Sequence, residues 1–298
     1  MKRPNIGHMG ITPTFKSKKD QRSFIEDWNN SDVMKNIFKK DSIFGSYDFK
    51  KFNFQKIIIK ELLNLKIVSP ESFKEINSDL ANLHKIISEK DKEIDDNEIN
   101  NISKQFYTND KSFLKMYKSF LQEVIAPLFP DRIYFQKQPT IRFNFPSSQS
   151  FKYNRRFHSD IMLGHPPKEI NLWFSLTDAF SSNSLRFINL ERSKLFFDEC
   201  KNNYDILAEK VQYDEGFKKK LDLKSHSIDI KYGQYFLFDS RCLHCTQRNT
   251  TNKTRISIDI RVIQDVDYKS LSRKYTGTGR RKSEFKPGDY YHSKRLKL

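Results

Sequence analysis

Residues 254–263, TRISIDIRVI, alternate polar and apolar side chains along almost their whole length. Successive side chains of a β-strand point to opposite faces, so this pattern predicts a strand with one polar and one apolar face. The polar face carries Arg255, Ser257, Asp259 and Arg261. We expect the apolar face to join a hydrophobic core, while the polar face remains available for a surface or a binding site.

Short runs rich in β-branched and aromatic residues precede this strand from residue 131 onward. They are RIYFQKQPTIRFNF, EINLWFSLT, NSLRFINL and HSIDIKYGQYFLF. Turn residues separate the runs, which is typical of strands joined by short connections. Many short strands without a regular alternation of strand and helix predict a barrel or jelly roll.

The chain is therefore predicted to be α+β and to have three parts. Residues 1–130 form a mainly helical N-terminal region that packs on the core. Residues 131–265 form the strand-rich core, which a helical insert at about 191–222 interrupts. Residues 266–298 form a basic tail with few apolar side chains, which we expect to lie against the surface.

One long helix is predicted within the N-terminal region, over SPESFKEINSDLANLHKIISEK, residues 69–90. Its apolar residues recur three and four positions apart, as on one face of a helix. Ser69 is a suitable N-cap, and Pro70 suits the first turn.

The composition is that of a folded, basic chain. Aromatic residues make up 14% of the 298 residues, whereas disordered chains have few. The net charge of +17 favours an anionic partner, or else reflects a solvated lysine-rich surface. Three cysteines do not make a disulfide framework, and neither a signal peptide nor a membrane span is recognisable. We therefore expect a cytoplasmic protein without a membrane partner.

A histidine and an aspartate stand two residues apart in FHSD, residues 157–160. On a strand, His158 and Asp160 would project to the same side. Two histidines and one carboxylate, with three open positions, are the ligand set of non-haem Fe(II) oxygenases. His244, which follows the predicted strand GQYFLFDS, is the best candidate for the second histidine. A hydrogen-bonded pair near the surface is the alternative, since such triplets also arise by chance.

Arg255 and Ser257 share the polar face of the strand that follows His244. A guanidinium and a nearby hydroxyl can bind a carboxylate between them. 2-Oxoglutarate needs such an anchor for its distal carboxylate when its keto acid end chelates iron. The joint pattern of HxD, H and RxS therefore predicts Fe(II), with 2-oxoglutarate and O₂ as co-substrates.

This HxD…H…R pattern resembles that of the Fe(II)/2-oxoglutarate-dependent dioxygenase superfamily. The segment FHSDIMLGHPPKEINLWFSLTDAFSSNSLRFINLERS resembles its phytanoyl-CoA hydroxylase-like branch. With the ending FKPGDYY, it is similar to oxygenases of carbohydrate and aminoglycoside gene clusters, the streptomycin-biosynthesis type. The resemblance covers roughly residues 131–291 and implies a double-stranded β-helix, a cupin-like jelly roll, with iron at one mouth.

The resemblance also implies roles for individual residues. The metal ligands, which are also the catalytic residues, would be His158, Asp160 and His244. Co-substrate contacts would come from Arg255, Ser257, Asn171 and Trp173. Apart from the resemblance, we expect substrate contacts from Arg142, Arg156, His165 and Arg261, of which Arg156 and His165 flank the FHSD motif. Core packing of Trp173 and strand-edge capping by Asn171 are the alternatives for those two residues.

The implied reaction is hydroxylation of a C–H bond with release of succinate and CO₂. The expected substrate is a small polar molecule such as a sugar or nucleotide-linked sugar, and an anionic one would suit the basic charge; desaturation and ring closure stay open. An AlkB-like demethylase of nucleic acid is the alternative, because it would share the spacing of Arg255 and Arg261 and the basic charge. A structural zinc at CLHC, residues 242–245, and a β-sandwich binding module without catalysis are the non-enzymatic alternatives.

Overall fold

The computed structural model describes residues 18–93, 100–106, 111–146, 157–271 and 284–296, and the structural statements below concern these residues. Helices cluster before residue 131 and between residues 190 and 224. They are α1 (Lys18–Asn30), α2 (Val33–Phe38), α3 (Phe54–Asn64), α4 (Pro70–Glu75), α5 (Glu89–Lys92), α6 (Asn101–Gln105), α7 (Lys111–Phe120), α8 (Leu190–Glu199), α9 (Tyr204–Tyr213), α10 (Glu215–Lys224) and α11 (Asp265–Ser270).

The single helix predicted for residues 69–90 is wrong, because the segment is broken into α4, a 3₁₀ helix (Leu80–Lys85) and α5. Asn77 and Ser78 both have positive φ, at 56° and 55°, a conformation that ends a right-handed helix. The Asp79 carboxylate then accepts a hydrogen bond from the backbone N–H of Ala81 and starts the next turn. The expected start is confirmed, since the Ser69 hydroxyl accepts from Ser72 N–H and caps α4.

The strands form two antiparallel sheets. They are β1 (Ser42–Ser46), β2 (Ile133–Phe135), β3 (Thr140–Asn144), β4 (Ile170–Ser175), β5 (Leu185–Phe187), β6 (His226–Ile228), β7 (Gln234–Asp239), β8 (His244–Thr246) and β9 (Arg255–Gln264). The larger sheet has the order β1-β7-β4-β9-β2, with β3 also paired to β9, and the smaller has the order β6-β5-β8. The observed class is thus α+β, as predicted. The N-terminal region is not only helical, because β1 extends the larger sheet.

The strand β9 contains the sequence from which the fold was predicted, and its two faces differ as expected. Its apolar side chains Ile256, Ile258, Ile260 and Val262 are fully buried in one large hydrophobic cluster. Phe54 of α3 and Phe120, the last residue of α7, belong to the same cluster, so helices of the N-terminal region cover this face. Burial of each large apolar side chain contributes roughly 1.5–3 kcal/mol. The polar face of β9 is left to point the other way.

A second interior lies between the two sheets. Trp173 of β4 and Phe238 of β7, from the larger sheet, share a cluster with Leu185 and Phe187 of β5, from the smaller sheet. This cluster lies on the same side of the larger sheet as the polar face of β9, because Trp173 is the register partner of Asp259. Polar groups of β9 and aromatic rings therefore line the same space between the sheets.

The described part of the tail, residues 284–296, lies along β2. Ile133 pairs with Leu296, and Gln136, just after β2, pairs with Tyr291. Both Tyr291 and Leu296 are buried, so the apolar residues of the tail are used to anchor it. Among the described residues, no helix has both the length and the apolar character that a membrane crossing requires.

Candidate metal and co-substrate site

His158, Asp160 and His244 come together at one end of the space between the sheets. One nitrogen of each histidine and one oxygen of the carboxylate all lie within 4.8 Å of one another. The two histidines face each other across a pair of backbone hydrogen bonds, His158 N–H to His244 O at 3.0 Å and the reverse at 2.9 Å. The ligand group that the sequence predicts is therefore assembled, although 84 residues separate Asp160 from His244.

The route to this arrangement differs from the prediction in one respect. His158 and Asp160 were expected on one strand, but Asp160 begins a 3₁₀ turn, Asp160–Leu163. His158 makes only an isolated bridge to His244. The turn closes at Gly164, whose φ of 86° suits glycine and whose N–H donates back to Ile161 O. A turn, rather than strand alternation, therefore brings Asp160 towards the histidines.

The ionisation of His244 and Asp160 suits a divalent metal. The Nδ1 of His244 lies 2.9 Å from the carbonyl oxygen of Cys242, which can only accept, so Nδ1 carries the proton and Nε2 is left with a lone pair. Burial lowers the pKa of His244 and favours this neutral form. Burial alone would raise the pKa of Asp160, but Arg261 holds that pKa well below its usual value. The group thus offers an ionised carboxylate and a neutral imidazole.

Arg261 is bound to the Asp160 carboxylate. Its Nε lies 2.9 Å from Asp160 Oδ2 and its Nη2 lies 3.0 Å from Asp160 Oδ1. Its Nη1 lies 2.9 Å from Asp259 Oδ1. Arg261 was predicted to contact the substrate, but its guanidinium is directed to these two carboxylates. It positions Asp160.

A pocket of about 410 Å³, which includes open solvent, reaches the two histidines from the space between the sheets. It is lined by Arg142, His158, Trp173, Leu185, Phe238, His244, Thr246, Arg255 and Asp259. Of the predicted site residues, this pocket brings together the two histidines, Arg142, Arg255 and Trp173. The larger sheet contributes Arg142, Trp173, Phe238, Arg255 and Asp259, and the smaller sheet contributes Leu185, His244 and Thr246, so both sheets supply polar and apolar lining.

Arg255 is buried in this pocket without an acidic partner. It is 1% exposed, and no carboxylate of the described residues lies within ion-pair distance of it. Its Nε donates to Asn183 O at 2.9 Å, and its Nη1 donates to the hydroxyl of Ser257. The guanidinium also lies 6.0 Å from the centre of the Trp173 ring. Burial, and then the nearby charge of Arg142, lower the pKa of Arg255 to about 9. A bound anion would relieve this cost.

Asn171 presents a second unsatisfied group. The residue is 0% exposed, and neither its Oδ1 nor its Nδ2 has a hydrogen-bond partner in the described part of the chain. In the sheet it lies opposite Phe238 of β7 and opposite Arg261 of β9, whose guanidinium binds Asp160. Leaving buried polar groups unpaired costs about 1–3 kcal/mol, so this side chain is placed as if for a partner that binds there.

The remaining predicted contacts lie in different places. Arg142 of β3 reaches the pocket, with its Nε 3.7 Å from Asp259 Oδ2. His165 instead faces the tail, because its Nδ1 is 2.7 Å from Glu169 Oε2 and its ring packs on Phe285 at 4.5 Å. Arg156 lies outside the described residues.

Sequence reasoning missed several lining residues. Asp259 was noticed on the polar face of β9 but was given no role, although its position between Ser257 and Arg261 was a usable signal. Phe238 and Thr246 flank His244, and proximity to a predicted ligand could have indicated both. Leu185 gave no signal, because a lone leucine is ordinarily a core residue. The CLHC segment forms no zinc group with His244 among the described residues, where Cys242 and Cys245 belong to two different hydrophobic clusters.

Comparison with known proteins gives relatives of the type that the sequence resembles, although no family model matches the chain. The streptomycin biosynthesis protein StrG of Streptomyces griseus is 23% identical over 189 residues, which are 63% of this chain and 73% of StrG. The structure of EctD from S. alaskensis with 2-oxoglutarate and 5-hydroxyectoine has a TM-score of 0.48 and 15% identity, over 85% of this chain and 80% of EctD. The non-haem α-ketoglutarate-dependent carbocyclase SnoK from nogalamycin biosynthesis has a TM-score of 0.46 and 11% identity, over 85% of this chain and 87% of SnoK.

Proposed function

We propose that the protein is an Fe(II)- and 2-oxoglutarate-dependent oxygenase that hydroxylates a C–H bond of a small polar molecule. The observation that carries this proposal is Arg255, a buried guanidinium that lines the same pocket as His158 and His244 and has no acidic partner among the described residues. A metal-ligand group alone suits many metalloproteins. A buried cation in the same pocket as that group supports a ligand that chelates the metal at one end and carries a carboxylate at the other.

His158, Asp160 and His244 would hold the iron. Two histidines and one carboxylate fit Fe(II) and leave positions for a chelating keto acid and for O₂. When bound together, iron and 2-oxoglutarate activate O₂ and supply the oxidising power for hydroxylation, with release of succinate and CO₂. The chain itself contributes orientation, charge and the exclusion of water.

Each neighbouring residue has a separate task in this proposal. Arg255 and Ser257 would bind the distal carboxylate of 2-oxoglutarate, with the Trp173 ring against the guanidinium. Asn171, with its unpaired amide near Arg261, would contact the chelating end of the co-substrate. Arg261 holds the Asp160 carboxylate in one orientation through two hydrogen bonds, as outer-shell groups do for metal ligands.

The proposal also concerns the architecture. The two antiparallel sheets would be the two halves of a double-stranded β-helix, with the site at one mouth. Residues 131–265 would be the catalytic core, with the helices between β5 and β6 as an insert. Residues 1–130 would pack on this core, and residues 266–298 would form the tail.

The substrate class that we propose is a sugar or a nucleotide-linked sugar. The likeness to a protein named for streptomycin biosynthesis supports a biosynthetic role on a small molecule. The comparisons do not favour the AlkB-like alternative, which drew on the spacing of Arg255 and Arg261 and on the basic charge. A cytoplasmic location stays a prediction.

Anaerobic reconstitution tests the proposal. Fe(II) and then 2-oxoglutarate are added to the purified protein, and the metal-to-ligand charge-transfer absorption of the chelate is followed. We expect this band with the wild type, and succinate on admission of air and substrate. Asp160→Ala and His158→Ala are expected to abolish the band, because two protein ligands hold Fe(II) weakly. A band of full intensity in both variants would contradict the assignment of the site.

A further inference from the structure

Arg142 lines the pocket, and its ion pair with Asp259 is a loose one. Its Nε lies 3.7 Å from Asp259 Oδ2, whereas Arg261 Nη1 lies 2.9 Å from Asp259 Oδ1. Asp259 therefore belongs chiefly to Arg261. The side chain of Arg142 is 25% exposed, compared with 1% exposure for residue Arg255 deeper in the same pocket. A molecule that enters the pocket meets Arg142 before it reaches Arg255.

The charges of the site do not balance without a further anion. Among the described residues, its cationic side chains are Arg142, Arg255 and Arg261. The anionic side chains of the same described set are Asp160 and Asp259. With both histidines counted as neutral metal ligands, the net charge of these groups is one positive. A divalent metal and a doubly charged 2-oxoglutarate cancel each other, so one positive charge remains after both have bound.

The ion-pair partners of the three arginines indicate which of them carries the remaining positive charge. Arg261 is held by two carboxylates, and the dicarboxylate co-substrate would neutralise Arg255. Arg142 and Arg255 line the same pocket, and the pKa of Arg255 is lowered first by burial and then by the charge of Arg142. Neutralising Arg255 alone leaves Arg142 as the uncompensated group, in a partly buried setting where electrostatic interactions are stronger than in water.

We propose that Arg142 binds an acidic group of the substrate, so that the substrate is an anionic small molecule that carries a phosphate or a carboxylate. This inference rests on the proposed function, because it assigns Arg255 to the co-substrate. The hydroxyl-bearing Thr246 and the apolar Leu185 line the same pocket and would contact the neutral part of the molecule. A sugar phosphate, a nucleotide-linked sugar and a sugar acid all meet this description, whereas a neutral sugar does not.

The test uses the anaerobic Fe(II)–2-oxoglutarate complex and three probes that share one skeleton: glucose 6-phosphate, glucuronate and methyl glucoside. Binding is followed as a perturbation of the charge-transfer band. We expect wild-type protein to bind at least one acidic probe and to bind methyl glucoside at least tenfold more weakly. Arg142→Gln is expected to weaken binding of the acidic probe by about 10–100-fold, because a hydrogen bond between charged groups is lost. Arg142→Lys should recover part of this affinity.

The co-substrate titration separates the possible failures. Half-saturation by 2-oxoglutarate is expected to change less than about twofold in Arg142→Gln. A large rise would show that Arg142 anchors the co-substrate and would overturn the inference. Equal binding of the neutral probe, or no binding of any acidic probe by the wild type, would also overturn it. Absence of the charge-transfer band in the wild type would instead refute the proposed function. Arg192→Gln, on the exposed side of α8, is the matched control.

Discussion

Arg261 donates to both oxygens of Asp160, at 2.9 and 3.0 Å, although 101 residues separate them in the chain. A planar guanidinium in this two-point contact fixes the rotation of the carboxylate as well as its charge. The carboxylate oxygen Oδ1, which lies 3.8 Å from His244 Nε2, is therefore held in place. The third nitrogen of the guanidinium, Nη1, contacts the Asp259 carboxylate, and this contact fixes the orientation of the guanidinium itself.

Substitution of Arg261 is accordingly expected to weaken metal binding. Arg261→Lys keeps the charge but cannot make the two parallel hydrogen bonds, and we expect Fe(II) affinity to fall by about 10–100-fold, as for other outer-shell partners of metal ligands. Competition with a metal indicator under anaerobic conditions measures this affinity. Arg192→Gln serves as the control. Unchanged affinity in Arg261→Lys would mean that charge alone, and not orientation, is what Asp160 requires.

Substitution of Arg255 should affect the co-substrate instead. In Arg255→Gln we expect the concentration of 2-oxoglutarate for half-saturation to rise by about 10–100-fold, because one charge-assisted contact is lost. Turnover at saturating 2-oxoglutarate should fall less, and Fe(II) affinity should stay near the wild-type value. The measurement is succinate formation at varied 2-oxoglutarate. If the requirement for 2-oxoglutarate does not change, another cation must anchor it, and Arg142 would be the first to examine.

Asn171 predicts an opposition between stability and function. Asn171→Leu replaces two unpaired buried polar atoms by an apolar side chain of similar size, so the free energy of unfolding of the ligand-free protein should rise by about 1–3 kcal/mol. Urea denaturation measures this change. Co-substrate binding should weaken in the same variant. The control is Asn29→Leu, at an exposed position of α1, which should leave both properties near their wild-type values. A destabilised Asn171→Leu would show that the amide is paired in the folded protein.

The buried Glu169 links the turn of Asp160 to the tail. It accepts from the Tyr291 hydroxyl with one oxygen and contacts His165 Nδ1 with the other at 2.7 Å. Tyr291→Phe removes one donor from a buried carboxylate, and we expect a loss of about 1–3 kcal/mol in the free energy of unfolding. Tyr134→Phe, at a partly exposed tyrosine nearby, is the control. Equal stability of the two variants would mean that Glu169 is satisfied without Tyr291.

The local chemistry of several elements was predictable from the sequence. Alternation in β9 indicated which residues face the site, because an exact period of two leaves no choice once one face is buried. The grouping of His158, Asp160 and His244 was predictable because histidine and carboxylate side chains are common metal ligands, and the structure brings the three together. The capping of α4 by Ser69 followed from its hydroxyl and the adjacent Pro70.

Other features depend on contacts between distant residues and gave no local signal. The pairing of Arg261 with Asp160 joins β9 to a turn that no periodicity marks, so Arg261 was taken for a substrate contact. The apolar spacing of residues 69–90 fits a continuous helix, but that spacing reports only which side chains are buried. The helix is broken at Asn77 and Ser78, where the backbone adopts positive φ, a conformation that asparagine tolerates. The strand β1 is stabilised by pairing with β7, which is distant in sequence. The five residues of β1 alone carry no pattern that would predict a strand.

The two faces of β9 restrict how the protein can change in evolution or in engineering. One face belongs to the core and the other to the chemistry, and each assignment depends on whether a position is odd or even. Inserting or deleting one residue near the middle of β9 would move isoleucines into the pocket and arginines into the core at the same time. New substrate preferences can therefore arise here by replacing side chains, whereas a change in strand length would cost stability and activity together.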